Sequence, residues 1–434
     1  MKKFIEYINN EVLIKVANLH TTTIITKIIA GILTSKAIAF YIGVEGMALI
    51  GNIRNFVSAI QSFAIFGFYN GLVKSIAEFK NDALQLSKTL STAYYLGFFS
   101  TILLSFFCYY NAENINVFLF SANYNYAYII QILALALPFY SLNVFSFSIM
   151  NGFSKYKILL IINIFGQVVG LLITLLLIYQ NNIDGALIAA VIAPSLIFLI
   201  TLVGFMNQRS LVSSIKISNV SLDILKKFAP FATMALVSAI ALPIVTIVIR
   251  NYIIDNVGIK EAGYWEAMHR ISDYYLMFIM SMMTLYILPR FNEIDNVKEF
   301  RSEVFSFYRT IIPIFGVSLL VIYFLKPFIV SLVFSKAFGP TEALFGWQLL
   351  GDFIKVLSVV IAYQFIAKKM FWHFIIIELF LVTMLYFSSV YLIDIYGVKG
   401  AVIGHFVSYL MHYAIILFVF GSSLFGVISE DNER

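Results

Sequence analysis

Long apolar runs dominate this sequence and limit the folds that it can adopt. The chain has 434 residues, of which 61% are hydrophobic and 12% are charged, whereas soluble domains carry about 25% charged residues. A run of about 20 apolar residues is long enough to cross the hydrocarbon core of a membrane. We count twelve such runs, centred near residues 30, 58, 98, 137, 168, 195, 238, 276, 315, 355, 382 and 411. The sequence therefore predicts an all-α polytopic membrane protein with twelve transmembrane helices.

The positions of the basic residues indicate how the chain is oriented. If the N-terminus is cytoplasmic, 19 of the 29 lysines and arginines fall in inner segments and five, including Arg250, fall in outer loops. An excess of this kind marks the cytoplasmic loops of membrane proteins. The asymmetry predicts that both termini are cytoplasmic, and it explains the net charge of +6 without a nucleic-acid partner.

Internal similarity divides the chain into two halves. Residues 183–186 (Ile-Asp-Gly-Ala) lie 215 positions before residues 398–401 (Val-Lys-Gly-Ala), and Asn163 and Glu378 have the same offset. A half with six helices ends on the side where it began, so the two halves would be related by a pseudo-two-fold axis along the membrane normal. The predicted parts are an N-terminal six-helix lobe at 1–207 that begins with an interfacial helix, an amphipathic cytoplasmic link at 208–227, and a C-terminal six-helix lobe at 228–434.

Prolines interrupt several of the predicted helices. Pro138, Pro194, Pro243 and Pro313 lie within apolar runs, where each removes a helix hydrogen bond and favours a bend. Such bends often serve only the packing of neighbouring helices. We predict that Pro243, near the middle of the seventh helix, acts as a hinge.

Nine charged side chains lie inside the predicted helices. Each would cost roughly 2.5 to 3.5 kcal/mol at the centre of a helix that faces lipid, so together they indicate a polar interior. The nine residues are Lys27, Lys36, Arg54, Glu266, Arg270, Asp273, Asp352, Lys355 and Glu378.

The charged residues of the N-terminal half are all basic. Lys27 and Lys36 lie on the first helix and Arg54 lies on the second, with no carboxylate in the apolar part of the first six helices. An anionic ligand, or acids from the other half, must therefore balance them, and both side-chain types bind phosphate. Lys27 and Lys36 are nine residues apart, so they share a cavity only if the helix bends near Gly31. Otherwise Lys36 extends to the membrane interface.

The charged residues of the C-terminal half occur at helical spacing. Glu266 and Arg270 are four apart, and Arg270 and Asp273 are three apart, which places them on one helix face. Asp352 and Lys355 are also three apart. These sets are either structural ion pairs or a site that responds to protonation. Glu378 has no opposite charge at helical spacing on its own helix and is a candidate for reversible protonation.

Neither a cofactor nor a metal site is predicted. The single cysteine, Cys108, lies in an apolar run and cannot form an intramolecular disulfide. His405 and His412 share a face of the last helix. We interpret them as hydrogen-bonded core residues, because the chain contains no metal-binding motif such as H-E-x-x-H.

Several segments resemble bacterial Wzx-type flippases, in particular the branch that handles enterobacterial common antigen. The most specific is Trp-Gln-Leu-Leu-Gly-Asp-Phe-Ile-Lys at 347–355, and others lie at 46–55, 67–71 and 271–273. The resemblance spans nearly the whole chain. It implies membership of the multidrug/oligosaccharidyl-lipid/polysaccharide (MOP) exporter superfamily, with a MATE-like fold in which two six-helix lobes open alternately to either side of the membrane.

The resemblance also implies a function. The cargo would be an undecaprenyl-pyrophosphate-linked oligosaccharide, moved from the cytoplasmic to the periplasmic leaflet of the bacterial inner membrane for O-antigen or enterobacterial common antigen biosynthesis, a part of lipopolysaccharide biosynthesis. The chain would then be a transporter and not an enzyme. Its expected partners are the lipid-linked oligosaccharide and membrane lipids, with polysaccharide polymerase and chain-length proteins as further candidates.

The family pattern extends to seven of the nine charged residues, whereas the roles of Glu266 and Arg270 rest on spacing alone. The predicted pyrophosphate-binding residues are Lys27, Lys36, Arg54 and Arg270. The predicted coupling and gating residues are Asp273, Asp352, Lys355, Glu378 and Glu266.

Two alternative functions follow from other classes of membrane protein. A cation-coupled multidrug antiporter of the same superfamily would use a cavity dominated by carboxylates, which the basic N-terminal half disfavours. A membrane glycan polymerase or glycosyltransferase would present catalytic residues on a substantial outer loop, whereas the outer connections here are short.

Overall fold

The computed structural model describes residues 11–205 and 215–426, and within these ranges every regular element is a helix. The α-helices are α1 (Glu11–Tyr41), α2 (Gly43–Ala64), α3 (Tyr69–Phe79), α4 (Ala83–Tyr110), α5 (Ala112–Phe120), α6 (Ala127–Gly152), α7 (Tyr156–Phe205), α8 (Leu222–Asn256), α9 (Ile259–Met282), α10 (Leu288–Glu293), α11 (Val297–Phe324), α12 (Lys326–Val333), α13 (Phe345–Ala367), α14 (Phe371–Tyr396) and α15 (Val398–Phe425). A π-helical turn at Met283–Ile287 joins α9 to α10, and 3₁₀ turns occur at Ile217–Asn219 and Lys336–Leu344.

Ten stretches of the described residues are long and apolar enough to cross a membrane, so the chain is a multi-pass membrane protein. One of them, Tyr156–Gly204, has 49 residues, about twice the length that a bilayer requires. Helix α2 is not among the ten; it carries Glu45 and Arg54 within 22 residues. The prediction of an all-α membrane fold is confirmed, while the count of twelve spans stays a prediction.

Helix α7 is a hairpin of two antiparallel arms. The backbone leaves the helical conformation at Asn181 and Asn182. A methyl group built on Gly204 would lie 2.7 Å from Ile162, and one on Gly166 would lie 3.0 Å from Ile197. The arms therefore run side by side in opposite directions, and the double-length stretch supplies two membrane crossings.

The chain divides into two compact units. Unit 1 contains Met1–Ile42 and Leu49–Ile244, and unit 2 contains Gly43–Ala48 and Val245–Arg434. The division falls inside α8, directly after Pro243 and Ile244. The predicted lobe boundaries at 207 and 228 remain predictions.

Residues just before and within the start of α8 are held by unit 1. The backbone amides of Lys216 and Ser221 donate to the hydroxyls of Ser91 and Thr92 on α4, at 3.0 and 2.9 Å. Farther along, Phe228 is buried in a cluster of apolar side chains from α3, α4, α6 and α8. The members of this cluster are Phe68, Leu72, Ile76, Leu86, Leu90, Ala93, Ile149, Ile224, Phe228 and Ala232. The described end of the predicted link is thus anchored to unit 1.

Two predicted features fall partly or wholly outside the described residues. The interfacial helix at 1–16 lies where the structure describes no side chains, and residues 206–214 of the chain, which include the start of the predicted 208–227 link, are also outside the described ranges.

The two halves of the chain contain the same turn at the same offset. The turn after α6 has a positive φ of 57° at Ser154, and the turn after α13 has 55° at Lys369, 215 positions later. In each turn an amide returns to a carbonyl five residues earlier, from Lys155 to Met150 and from Met370 to Phe365, both at 2.8 Å. This is the hydrogen bond of a Schellman helix end.

The hairpins that follow these turns also repeat. A methyl group on Gly185 would lie 1.9 Å from the Leu177 carbonyl oxygen, and one on Gly400 would lie 2.1 Å from the Leu392 carbonyl oxygen. Both pairs are 215 positions apart, and both positions require glycine because any Cβ would overlap the facing backbone. The internal similarity found in the sequence therefore corresponds to repeated local structure.

Candidate functional site

A buried carboxylate organises the polar interior of unit 2. Asp352 on α13 has no exposed surface, and His405 Nε2 on α15 lies 2.9 Å from its Oδ1. Gln348, one helical turn earlier, donates to both oxygens at 3.2 and 3.3 Å. The hydroxyls of Ser272 and Tyr275 on α9 donate to Oδ2. We call these five residues the Asp352 network.

Helical spacing on three elements produces this arrangement. Gln348 and Asp352 are four residues apart on α13, and Ser272 and Tyr275 are three apart on α9, so each pair lies on one helix face. His405 reaches the carboxylate because position 351 is glycine; a methyl group there would lie 2.4 Å from the imidazole ring. Within the 347–355 segment, Asp352 thus supplies the carboxylate, and Gly351 leaves the space that the His405 ring occupies.

A second buried cluster surrounds Glu266 on α9. Its Oε2 lies 2.6 Å from Arg250 and its Oε1 lies 3.0 Å from Arg270, and all three side chains are at most 6% exposed. The predicted Glu266–Arg270 ion pair is therefore present. In this conformation Arg270 is an internal partner of Glu266, and its predicted contact with pyrophosphate is untested.

The sequence interpretation placed Arg250 in an outer loop, and that placement is wrong. Arg250 lies within α8 (Leu222–Asn256), it is completely buried, and its guanidinium carbon lies 5.3 Å from the Trp265 ring centroid. Pairing with Glu266 makes its burial possible, because an ion pair offsets part of the cost of removing charges from water.

A row of aromatic and imidazole rings lies between the two clusters. The ring centroids of Trp265 and His269 are 4.5 Å apart, and those of His269 and His405 are 6.4 Å apart. Farther along α15, His412 Nδ1 is 3.0 Å from the Ser358 hydroxyl. His405 and His412 are thus buried, hydrogen-bonded residues, as predicted. Among the described residues, no group of three or more histidine, cysteine or acidic side chains is arranged to hold a metal ion.

The remaining predicted gating residues lie close to this network. Lys355 places its Nζ 5.4 Å from the ring centroid of Tyr409 and interacts electrostatically with Asp273 and Asp352. Among the described residues no Asp352–Lys355 contact is within ion-pair distance; the two groups interact at longer range, and His405 Nε2 lies 2.9 Å from the carboxylate. Glu378, half-buried on α14, interacts with Tyr409.

The basic residues of unit 1 differ from these groups in accessibility. Lys27 and Lys36 on α1 and Arg54 on α2 are all exposed. Helix α1 is continuous through Gly31, and nine residues of a regular helix correspond to about half a rotation. The structure therefore places Lys27 and Lys36 on different sides of α1. Lys36 and Arg54 have interaction partners within the protein.

Three comparisons relate this chain to known proteins. The sequence pattern of the family described as "Polysaccharide biosynthesis protein" matches residues 13–295. A relative named Lipid III flippase, from Escherichia coli (strain K12), is 26% identical over 398 residues, which cover 91% of this chain and 95% of the relative.

Solved structures share the fold. The inward-facing conformation of a MATE family multidrug resistance transporter of the MOP superfamily has a TM-score of 0.75 and 14% identity, covering 94% of this chain and 96% of that one. Lipid II flippase MurJ, in an inward closed conformation, has a TM-score of 0.70 and 18% identity, covering 94% and 87%. The predicted MATE-like architecture is confirmed.

Proposed function

This chain belongs to the polysaccharide biosynthesis protein family, and on that premise we propose that it is a flippase for a lipid-linked oligosaccharide. The cargo is an undecaprenyl-pyrophosphate-linked oligosaccharide, moved from the cytoplasmic to the periplasmic leaflet of a bacterial inner membrane. The relative named Lipid III flippase, similar over almost its full length, supports this class of substrate.

The observation that carries the proposal is that basic residues predominate among the exposed charges of the predicted helices. Lys27, Lys36 and Arg54 are exposed. Of the acidic residues, Asp273 is exposed, Glu378 is half-buried, and Glu266 and Asp352 are buried. Exposed lysine and arginine side chains are suited to bind a pyrophosphate. Three exposed basic residues against one exposed acid, Asp273, favour an anionic cargo over the cationic drug of the antiporter alternative.

The proposed mechanism assigns separate roles to the two groups of residues. Lys27 and Arg54, with Lys36 and Arg270 as further candidates, hold the pyrophosphate. Asp273, Asp352, Glu266, Lys355 and Glu378 favour one conformation over the other by taking up a proton or by exchanging partners. Pro243, beside the division between the compact units, is the proposed hinge, because a proline weakens helix hydrogen bonding where a bend is needed. In this role the protein moves its cargo without chemical change.

Transport in proteoliposomes tests this function. A fluorescent polyprenyl-pyrophosphate oligosaccharide would be added to one leaflet, and its appearance in the other would be followed while an imposed pH gradient is varied. Removing one charge-assisted contact costs about 1.5 to 3 kcal/mol, so Arg54→Ala and Lys27→Ala should each slow transport at least about tenfold. Lys298→Ala, an exposed lysine at the start of α11, serves as the control and should leave the rate unchanged.

Each outcome has a clear consequence. Loss of transport in the double variant Lys27→Ala and Arg54→Ala, with normal rates in the control, supports the basic site. An unchanged transport rate in that double variant would rule out the proposed basic site. Uptake of organic cations without movement of the lipid-linked glycan would establish the antiporter instead.

A further inference from the structure

An apolar groove runs along unit 2 between α11 and α13. It has a volume of about 500 Å³, within the range of pockets that hold small ligands. Leu319 and Leu349 are buried at its floor, and Leu320 and Leu350 are more than half exposed at its edges. The groove is therefore a concave site on the apolar surface of the helices.

Two glycines keep this groove open. Gly316 on α11 and Gly346 on α13 both line it. A methyl group at position 316 would meet only a ring carbon of Phe353 at 3.4 Å, and one at position 346 would meet only a ring carbon of Tyr323 at 3.8 Å. The backbone would accept larger residues at both positions, but their side chains would occupy the groove. The open space thus depends on the absence of these two side chains.

A cation lies at one end of the groove. Lys326, the first residue of α12, places its Nζ 4.6 Å from the ring centroid of Tyr323, which lines the groove. Among the ion pairs of the described residues, none involves Lys326. The groove therefore combines an apolar channel with a positive charge, which is the complement of a lipid that has a long hydrocarbon chain and an anionic head.

We propose that this groove holds part of the polyprenyl chain of the lipid-linked substrate, with Lys326 near its pyrophosphate. The proposal rests on the proposed function. The rings of Tyr323 and Phe353 offer flat faces to the planar double-bond units of an isoprenoid, which saturated acyl chains lack. The groove lies at the C-terminal end of α11 and the N-terminal end of α13, which the predicted topology places in the periplasmic half of the membrane. It would therefore hold the chain after the head group has crossed.

Photoaffinity labelling tests the site directly. The probe is undecaprenyl pyrophosphate with a diazirine in its isoprenoid chain, placed with the protein in phosphatidylcholine vesicles. Mass spectrometry of the labelled peptides should find adducts on residues 316–323 and 346–353. Unlabelled undecaprenyl pyrophosphate should compete with the probe, and phosphatidylglycerol at the same mole fraction should not.

Matched variants test whether labelling of these peptides depends on the groove. Gly346→Leu adds four side-chain carbons to the groove; if they displace about two methylenes of the polyprenyl chain, labelling should fall about tenfold. Lys326→Gln should weaken labelling by a smaller factor. Gly421→Leu on α15 is the control: its Cβ would meet no atom within 4 Å, it lies outside the groove, and its labelling should match that of the unaltered protein.

The result separates this proposal from the proposed function. If phosphatidylglycerol competes equally, the groove binds ordinary anionic phospholipid and the proposal is overturned. If vesicles transport the glycan but no label reaches these peptides, the function stands and the groove assignment fails. If the label reaches the groove specifically while transport is absent, the groove binds the polyprenyl chain and the flippase function fails.

Discussion

The two halves of this chain share local geometry but differ in what they bury. The turns that end α6 and α13 are 215 positions apart. Aligned by this offset, Leu133 and Leu137 correspond to Gln348 and Asp352. Both leucines are at most 1% exposed. By the same offset, Ala190 in the second arm of α7 corresponds to His405. One half thus has apolar residues, two of them buried and Ala190 half-buried, at the positions where the other half has three members of the Asp352 network.

This difference indicates that the fold does not require the buried polar groups of the Asp352 network. The N-terminal half forms the same turn and the same hairpin contact with apolar residues at the three corresponding positions. Burying charges costs several kcal/mol per ion even after the protein relaxes, and ionisable residues within membrane segments are commonly functional. We therefore propose that the Asp352 network serves the transport cycle rather than stability.

The largest loss of stability should come from placing a carboxylate at the position of the N-terminal half that corresponds to Asp352. Leu137→Asp would bury a carboxylate where the corresponding partners are Leu133 and Ala190. The lost packing and the unpaired charge together should lower the free energy of unfolding by about 5 kcal/mol or more. Thermal unfolding of the purified protein in detergent would measure this loss. A variant as stable as the original would mean that unit 1 can solvate a buried acid. The apolar residues of unit 1 would then not distinguish it from the half that contains the Asp352 network.

Removing the acid of the second cluster should have a slightly smaller effect. Glu266→Ala leaves Arg250 and Arg270 buried without their shared carboxylate, and breaking a buried ion pair typically costs about 3 to 5 kcal/mol. The same unfolding measurement applies, with the exposed Glu293→Ala on α10 as the matched control. Near-equal melting temperatures for the two variants would contradict the buried ion-pair assignment.

The smallest change in stability should come from making the C-terminal half resemble the N-terminal half. The triple variant Gln348→Leu, Asp352→Leu and His405→Ala replaces the network by its apolar counterparts. Such replacements are often neutral or stabilising by about 1 to 4 kcal/mol, so the protein should fold while transport in proteoliposomes is lost. Full transport by this variant would show that the network is dispensable for function.

Sequence patterns revealed the features that depend on nearby residues. The apolar runs predicted the membrane helices, the 215-residue offset indicated two similar halves, and the spacing of Glu266 and Arg270 placed them on one helix face, where they form an ion pair. In each case the relevant physical information lies within one helix or in a direct comparison of two segments.

Partners that come from distant parts of the chain could not be predicted in this way. His405 is 53 residues from Asp352, and Ser272 is 80 residues from it, so their contacts depend on how three helices pack. Arg250 appeared to end an apolar run and to lie in a loop, because the acid that permits its burial is on the next helix. Three of the groups that contact Asp352, from Ser272, Tyr275 and His405, likewise come from other helices.

The close contact of Gly400 with the Leu392 carbonyl has a consequence for the rotational phase of α15. This contact fixes the angle at which the helix starts, and His405 follows five residues later. Each residue of an α-helix adds about 100° of rotation. One inserted or deleted residue between Gly400 and His405 would therefore turn the imidazole away from Asp352 without altering any side chain. The hairpin thus determines the direction of a titratable group that lies more than one helical turn away.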